Sequence, residues 1–217
     1  MLSAILFDLD GTLVNTDPLH YKTWEEALIK LGINIDRSFY NKHISGRTNE
    51  EIVKDILSHL PLEEGLKVAD NKEARFRSLA TELKPTPGLQ SLLDWVGSNQ
   101  LKKAVVTNAP RANAEFMLKA LDLEKVFPTV ILGEDAPRSK PDPAPYQLAL
   151  THLQIENHEA IVFEDSPSGL LSSTRAGIYS IGIASGHDRE HLLKVGADRV
   201  IDDFTDANLW EWLKTKV

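Results

Sequence analysis

Six short, unbroken apolar runs constrain this chain more than any other feature: Ala4–Phe7, Ala104–Val106, Val130–Leu132, Ala160–Phe163, Ile181–Ile183 and Val200–Ile201. Each is bounded by turn residues and lacks polar alternation. A run of that kind suits a strand covered on both faces, as in a parallel sheet. Helical spacing fills the intervals between the later runs, in Leu89, Leu92, Leu93 and Val96 and again in Phe116, Leu118 and Leu121. Strand–helix alternation after residue 86 predicts an α/β fold, a doubly wound, Rossmann-like parallel sheet.

The first run breaks that rhythm. Roughly a hundred residues separate it from the second, far more than a crossover needs. That interval reads as helical. Tyr21, Trp24, Leu28 and Leu31 form one stripe, closed by Gly32. Thr48-Asn49-Glu50-Glu51 is a capping-box pattern, followed by Ile52, Val53, Ile56, Leu57 and Leu60. Leu62, Leu66 and Ala69, then Phe76, Leu79 and Leu83, mark a third helical stretch, and Pro85-Thr86-Pro87-Gly88 reads as a linker. The expectation is an α/β core of residues 1–15 and 86–217, interrupted by a helical domain of residues 16–85.

A formal net charge of −8 argues against a general nucleic-acid partner, which would require a basic face. It leaves room for an anionic substrate, because a bound cation and a few local lysines can reverse the field inside one cleft. The absence of cysteine excludes disulfides and thiolate chemistry. The first apolar run stops at Asp8 and has no basic flank, so it is too short for a membrane span or a signal peptide. A soluble, cytoplasmic protein with no membrane partner is expected.

Open parallel sheets bind ligands beyond the carboxyl ends of their strands. The first run ends in Asp8-Leu9-Asp10-Gly11-Thr12, the second in Thr107-Asn108, and the fourth in Glu164-Asp165-Ser166; Lys140 follows the third, in Ser139-Lys140-Pro141-Asp142-Pro143. Several carboxylates at one edge repel unless a cation sits among them, and oxygen ligands favour Mg²⁺. Each piece has a plainer reading. Asp10-Gly11 is a common turn dipeptide, Glu164-Asp165 suits a solvated loop, and Lys140 alone would be a surface lysine. Their joint placement at strand ends tips the balance toward a site.

Those four segments resemble, in order, the motifs of the haloacid dehalogenase superfamily of phosphotransferases, in its subgroup with a helical cap. The resemblance spans nearly the whole chain and implies a Mg²⁺-dependent phosphatase of small phosphorylated metabolites working through an aspartyl-phosphate. It implies Asp8 as nucleophile and Asp10 as general acid–base. It also implies a metal held by Asp8, Asp165 and the Asp10 carbonyl, with Glu164 acting through water or as an orienting group. Thr107, Asn108 and Lys140 would bind phosphoryl oxygens. Thr12 is expected to support the aspartates by hydrogen bonding, and Ser166-Pro167 to start a helix. The substrate would be a sugar phosphate, phosphoglycolate or a glycerol phosphate, and the protein a monomer, as the family often is.

The helical insert then resembles a cap that closes over the core. In similar proteins a histidine at the position of His20 makes hinge or substrate contacts; a solvated helix histidine is the plain alternative. Arg47 precedes a helix N-terminus, where dipole and guanidinium together favour an anion. Lys72, Arg75 and Arg77 read as a solvated helix face, with Lys72 or Arg75 able to reach the cleft. A sugar phosphomutase similar to β-phosphoglucomutase is the competing function. Such mutases usually carry Ala-Ser where this chain has Thr107-Asn108, and commonly Asp where Asn15 stands, which leans toward hydrolysis. A signalling receiver domain would place its acidic pair and phosphorylated Asp on different strands. A dead relative would lack a key carboxylate, and a dehalogenase would need neither Mg²⁺ nor Asp10.

Overall fold

Every one of the six apolar runs forms a strand in the computed structural model, which describes all 217 residues: β1 (Ala4–Phe7), β2 (Lys102–Thr107), β3 (Thr129–Leu132), β4 (Ala160–Glu164), β5 (Tyr179–Ile183) and β6 (Arg199–Ile201). They pair in parallel in the order β3-β2-β1-β4-β5-β6. From β1 the chain winds outward one way through β2 and β3, then returns to the other side through β4. The crevice at the carboxyl end of β1 is therefore where the winding reverses, the usual ligand position in such sheets.

The helices are α1 (Asp17–Ile29), α2 (Arg37–His43), α3 (Asn49–Ile56), α4 (Leu62–Leu79), α5 (Leu89–Ser98), α6 (Arg111–Ala120), α7 (Ala144–Leu153), α8 (Pro167–Arg175), α9 (Arg189–Val195) and α10 (Ala207–Leu213). Period-two side-chain alternation splits each central strand between two cores. Ile5 and Phe7 of β1, with Ile161 and Phe163 of β4, face the core built with α5, α6 and α10; Ala4, Leu6, Ala160 and Val162 face the one built with α7. Phe7, Phe163, Phe127 and Phe204 interlock in stacked and edge-on pairs 5.2–6.4 Å apart. Burying each such ring is worth about 1.5–3 kcal/mol.

Helices α1 to α4 hold a separate core, with Trp24, Leu28, Tyr40, Ile52, Val53 and Ala69 at its centre. The Thr48 capping box is present, both of its bonds made, and Ser166 caps α8 with Pro167 at its first position. Three expectations shift. Helix α2 was invisible, because its seven residues are too few to show a period. Leu60 and Leu83 fall beyond the ends of α3 and α4, and Leu31 lies past α1 and is exposed. The chain leaves and re-enters the sheet layer through adjacent segments: Val14 bridges Pro85, and Thr86 Oγ1 donates to the Thr12 carbonyl at 2.7 Å. No helix is long and apolar enough to cross a membrane.

Candidate active site

The turn after β1 is built so that two acidic residues leave it in different directions. The Asp8 amide continues the ladder to the Phe163 carbonyl at 2.9 Å, and Gly11 then reverses the chain with φ of +83°. Glycine is needed there twice over. A side chain would be strained at that φ, and its Cβ would lie 2.0 Å from Asp165 Oδ2. The close approach brings the end of β4 against the end of β1.

Lys140 reaches into this junction and is fully used. Its Nζ donates to Asp8 Oδ1 at 2.7 Å, Glu164 Oε1 at 2.5 Å and the Val106 carbonyl at 2.6 Å, with 2% of the residue exposed. Burial alone would lower its pKa, but Asp8 and Glu164 outweigh that and raise it, so the ammonium stays charged. Asn108 sets the lysine loop: its Oδ1 accepts from the Lys140 amide and its Nδ2 donates to the Lys140 carbonyl, both at 3.1 Å. The same Nδ2 donates across to the Gly46 carbonyl of the helical insert at 3.2 Å. Thr107 lies buried beside them, its hydroxyl accepting from the Ala109 amide.

Asp8, Glu164 and Asp165 each offer a carboxylate oxygen within 4.8 Å of the others. Asp8 and Asp165 are pushed well above the ordinary aspartate pKa, first by burial. Lys140 partly offsets this at Asp8, whereas at Asp165 the charges of Asp8 and Glu164 add to it. One ammonium does not balance three buried carboxylates. An all-oxygen set with surplus negative charge is the donor chemistry of Mg²⁺, so the residues present fit that ion.

Asp10 has the opposite surroundings. Its Oδ1 accepts from Thr16 Oγ1 at 2.5 Å and pairs with His20 Nε2 at 3.1 Å. The other ring nitrogen of His20 lies 2.6 Å from Lys72 Nζ. An ammonium only donates, so Nδ1 accepts and Nε2 carries the proton toward Asp10. The imidazole is clamped by stacking on Phe76, with centroids 4.1 Å apart. Burial would raise the Asp10 carboxyl, but the hydrogen bonds from His20 and Thr16 and the nearby Lys72 hold it below its usual value.

The four strand-end segments thus meet in one cleft, which has an empty volume of about 750 Å³ including its mouth. Three expected features differ. Lys72, read as part of a solvated face with the cleft as the alternative, takes the alternative: it is 3% exposed and lines the cleft, because α4 packs against α1, α3 and α6; Arg75 remains outside on Glu26. Arg47 lines the cleft but turns its guanidinium back onto Asp55 and the carbonyls of His43 and Glu51. The buried Thr12 hydroxyl has no hydrogen-bond partner, so it does not support the aspartates; its amide donates to the Leu9 carbonyl and its carbonyl accepts from Thr86. Sequence reasoning missed Thr16, Glu73, Asn113 and Tyr146. Tyr146 donates to Glu164 Oε1 at 2.7 Å and reads in sequence as an ordinary core aromatic. Nothing local marks the others.

The profile of the haloacid dehalogenase-like hydrolase family matches residues 5–183. The chain belongs to this family. Among these hydrolases it is 32% identical over 203 residues to a phosphorylated carbohydrates phosphatase of Thermotoga maritima, covering 90% of this chain and 92% of that one. It is 34% identical over 213 residues to a validoxylamine A 7'-phosphate phosphatase of Streptomyces hygroscopicus, covering 95% and 96%. A β-phosphoglucomutase from Clostridium difficile superposes with a TM-score of 0.88 at 27% identity, covering 100% of this chain and 97% of that one. This hydrolase family therefore accounts for the six-stranded parallel sheet.

Proposed function

We propose that the chain is a Mg²⁺-dependent phosphatase of small phosphorylated metabolites, of sugar phosphate or phosphoglycolate type. Asp8 carries the phosphoryl group, and the helices of residues 16–85 act as a cap over the core of 1–15 and 86–217. The observation that carries this reading is the contrast between two aspartates two residues apart. Asp8 sits on Lys140 and in the carboxylate triad, whereas Asp10 turns away onto Thr16 and His20. Paired acids in opposed surroundings are the mark of divided roles.

Mg²⁺, held by Asp8, Asp165 and the Asp10 carbonyl, with Glu164 acting through water or as an orienting group, would neutralise phosphoryl charge. Asp8 attacks phosphorus while the bond to the leaving oxygen breaks, and Asp10 gives that oxygen its proton. Asp10 is ionised before substrate enters; the arriving phosphate raises its proton affinity, and it takes up from solvent the proton that it then gives to the leaving oxygen. Water then attacks the aspartyl-phosphate, Asp10 takes the proton, and phosphate leaves with Asp8 regenerated. Thr107 and the Asn108 backbone hold the phosphoryl oxygens. Lys140, its three N–H groups spent on Asp8, Glu164 and the Val106 carbonyl, orients the nucleophile and lends its charge to the site, and Glu164 with Tyr146 keeps that ammonium in place. Transfer of this kind depends mainly on such positioning. The helical insert supports a closing cap by its own core and its one bond to Asn108, through the Gly46 carbonyl.

The deciding assay is phosphate release from a panel of phosphorylated metabolites with Mg²⁺, together with acid-quench trapping of phosphate on Asp8. The whole-chain likeness to a β-phosphoglucomutase favours the second reading, a sugar phosphomutase. Formation of glucose 6-phosphate from β-glucose 1-phosphate with little free phosphate would establish it instead.

Two further results are expected. Asp10→Asn slows turnover about 10²–10⁴-fold yet keeps metal binding, since only its carbonyl is a ligand. Loss of the metal-induced rise in melting temperature in that variant would overturn the assignment. Mg²⁺ at about a hundred times its Kd adds about 2.7 kcal/mol, a shift of roughly 5–11 °C. For Asp8 and Asp165 the folded-state pKa is raised. Their contribution to stability is therefore full below the unfolded pKa and lost as pH rises through the folded one. The ion replaces the proton, so its stabilisation is greatest at about pH 8 and shrinks toward about pH 5.5. Melting curves with an equal shift at both values would contradict this.

A further inference from the structure

Asp10 stands at one end of a hydrogen-bonded arm whose far end is Glu73, a buried carboxylate that the phosphoryl chemistry does not use. Both bonds to the Asp10 side chain, from Thr16 and from His20 Nε2, fall on Oδ1, which leaves Oδ2 to carry a proton to or from substrate. That pattern depends on the tautomer of His20, and the tautomer depends on the Lys72 ammonium 2.6 Å from Nδ1. Lys72 is buried, its Nζ 5.1 Å from the Trp24 ring centroid and 5.8 Å from that of Phe76. Burial lowers its pKa, and the chief group opposing this is Glu73, whose Oε1 accepts from Nζ at 3.0 Å.

Glu73 is itself held in place. Its Oε1 also accepts from Asn49 Nδ2 at 3.0 Å, and its Oε2 accepts from Asn113 Nδ2 at 2.6 Å. Asn113 cannot turn its amide around, because its Oδ1 accepts from Arg77 Nη1 at 2.5 Å and a flipped amide would set Nδ2 against that guanidinium. Glu73 and Arg77 belong to α4 and Asn113 to the first turn of α6, so the arm is anchored on a helix that directly follows β2. None of the hydrogen bonds of Glu73 goes to the carboxylate triad or to Asp10. A buried ion pair returns little stability, because desolvation offsets the attraction. Its presence beside the acid calls for another reason.

We propose that Glu73, clamped by Asn113, is a positioning residue for the acid: it holds the Lys72 ammonium on His20 Nδ1, so that His20 keeps its Nε2 proton on Asp10 Oδ1 and Oδ2 stays turned to the leaving oxygen. This rests on the phosphatase reading and deepens it. Glu73 acts through Lys72 and His20, not on substrate.

The test compares a good leaving group with a poor one. p-Nitrophenolate departs without a proton, whereas an alkoxide needs one, and kcat/KM reports the steps up to phosphoryl transfer onto Asp8. With Mg²⁺, kcat/KM is measured for p-nitrophenyl phosphate and for whichever of glucose 6-phosphate, fructose 1-phosphate, glycerol 3-phosphate and phosphoglycolate turns over fastest. In Glu73→Gln the amide nitrogen cannot accept from Asn113 Nδ2, and the alkyl value is expected to fall about 10-fold more than the p-nitrophenyl value. A merely structural role would lower both alike. In a His20→Asn background the same substitution is expected to change the alkyl value by less than about twofold, because the arm is already cut. If neither kind of substrate is hydrolysed, the phosphatase reading fails and this one with it. If both are hydrolysed and a folded Glu73→Gln protein loses both equally, the phosphatase reading stands and the arm is overturned. Full additivity with His20→Asn overturns it too, as does hydrolysis of p-nitrophenyl phosphate alone, since a set acid serves the poor leaving group. Should Glu73→Gln not fold, Asn113→Ala takes its place, with an expected change in the ratio of about threefold. The ring-nitrogen NMR shifts of His20 in the wild-type protein decide without any variant: a proton on Nε2 alone supports the arm, and one on Nδ1 overturns it.

Discussion

Asp8→Asn is expected to lower kcat by about 10⁴-fold or more while leaving the protein folded. The amide occupies the same volume and can still accept from Lys140 Nζ, which lies 2.7 Å from Asp8 Oδ1. It cannot attack phosphorus, and neither Asp10, turned onto Thr16 and His20, nor Glu164, bound to Lys140 and Tyr146, is free to substitute. Stability without metal should hold or rise. The ionised Asp8 is disfavoured in the fold by burial and by Glu164, and the amide removes that penalty. The stabilisation by Mg²⁺ should shrink, because one anionic ligand is gone. Single-turnover kinetics and melting curves with and without Mg²⁺ measure both effects. Near-normal turnover would exclude the covalent route.

The largest effect on stability is expected from Lys140→Ala, about 3–5 kcal/mol, because removal of one partner leaves the others as buried, unpaired charges. Asp8 and Glu164 would both lose their ammonium, and the Val106 carbonyl its donor. For a chain of this length the loss corresponds to roughly 6–20 °C in Tm. Lys140→Met, which restores volume but not charge, should be nearly as destabilised. Combining it with Glu164→Gln should recover part of the loss without recovering activity. Urea unfolding of the single and double variants separates charge from packing; a Lys140→Met protein within about 1 kcal/mol of wild type would show that the ammonium is not needed for folding.

Part of the site was legible because β-sheet geometry converts sequence position into spatial position. Asp8, Thr107 and Glu164-Asp165 each end an apolar run, and parallel strands in register must deliver such residues to one edge. Lys140 was legible only by its place after the third run; that it lies 2% exposed between two carboxylates follows from packing against Tyr146. On the helical side the local signals misled. Lys72 sits in a charged stretch of α4 that read first as a solvated face, and Arg47 stands before a helix start; both line the cleft, but their partners His20 and Asp55 lie far enough along the chain that no local pattern shows the pairing.

The amino-acid order alone therefore determined the sheet, its helical interruption and the acidic strand ends, since these depend on periodicities of two and 3.6 residues that local sequence records. Which way each charged side chain faces was decided only by the tertiary structure. Asp10 meets Lys72 through His20, and Glu73 meets Asn113, across separations of 62 and 40 residues. Burial makes those distant pairings obligatory, because a charge withdrawn from water must find its partner wherever the fold supplies one.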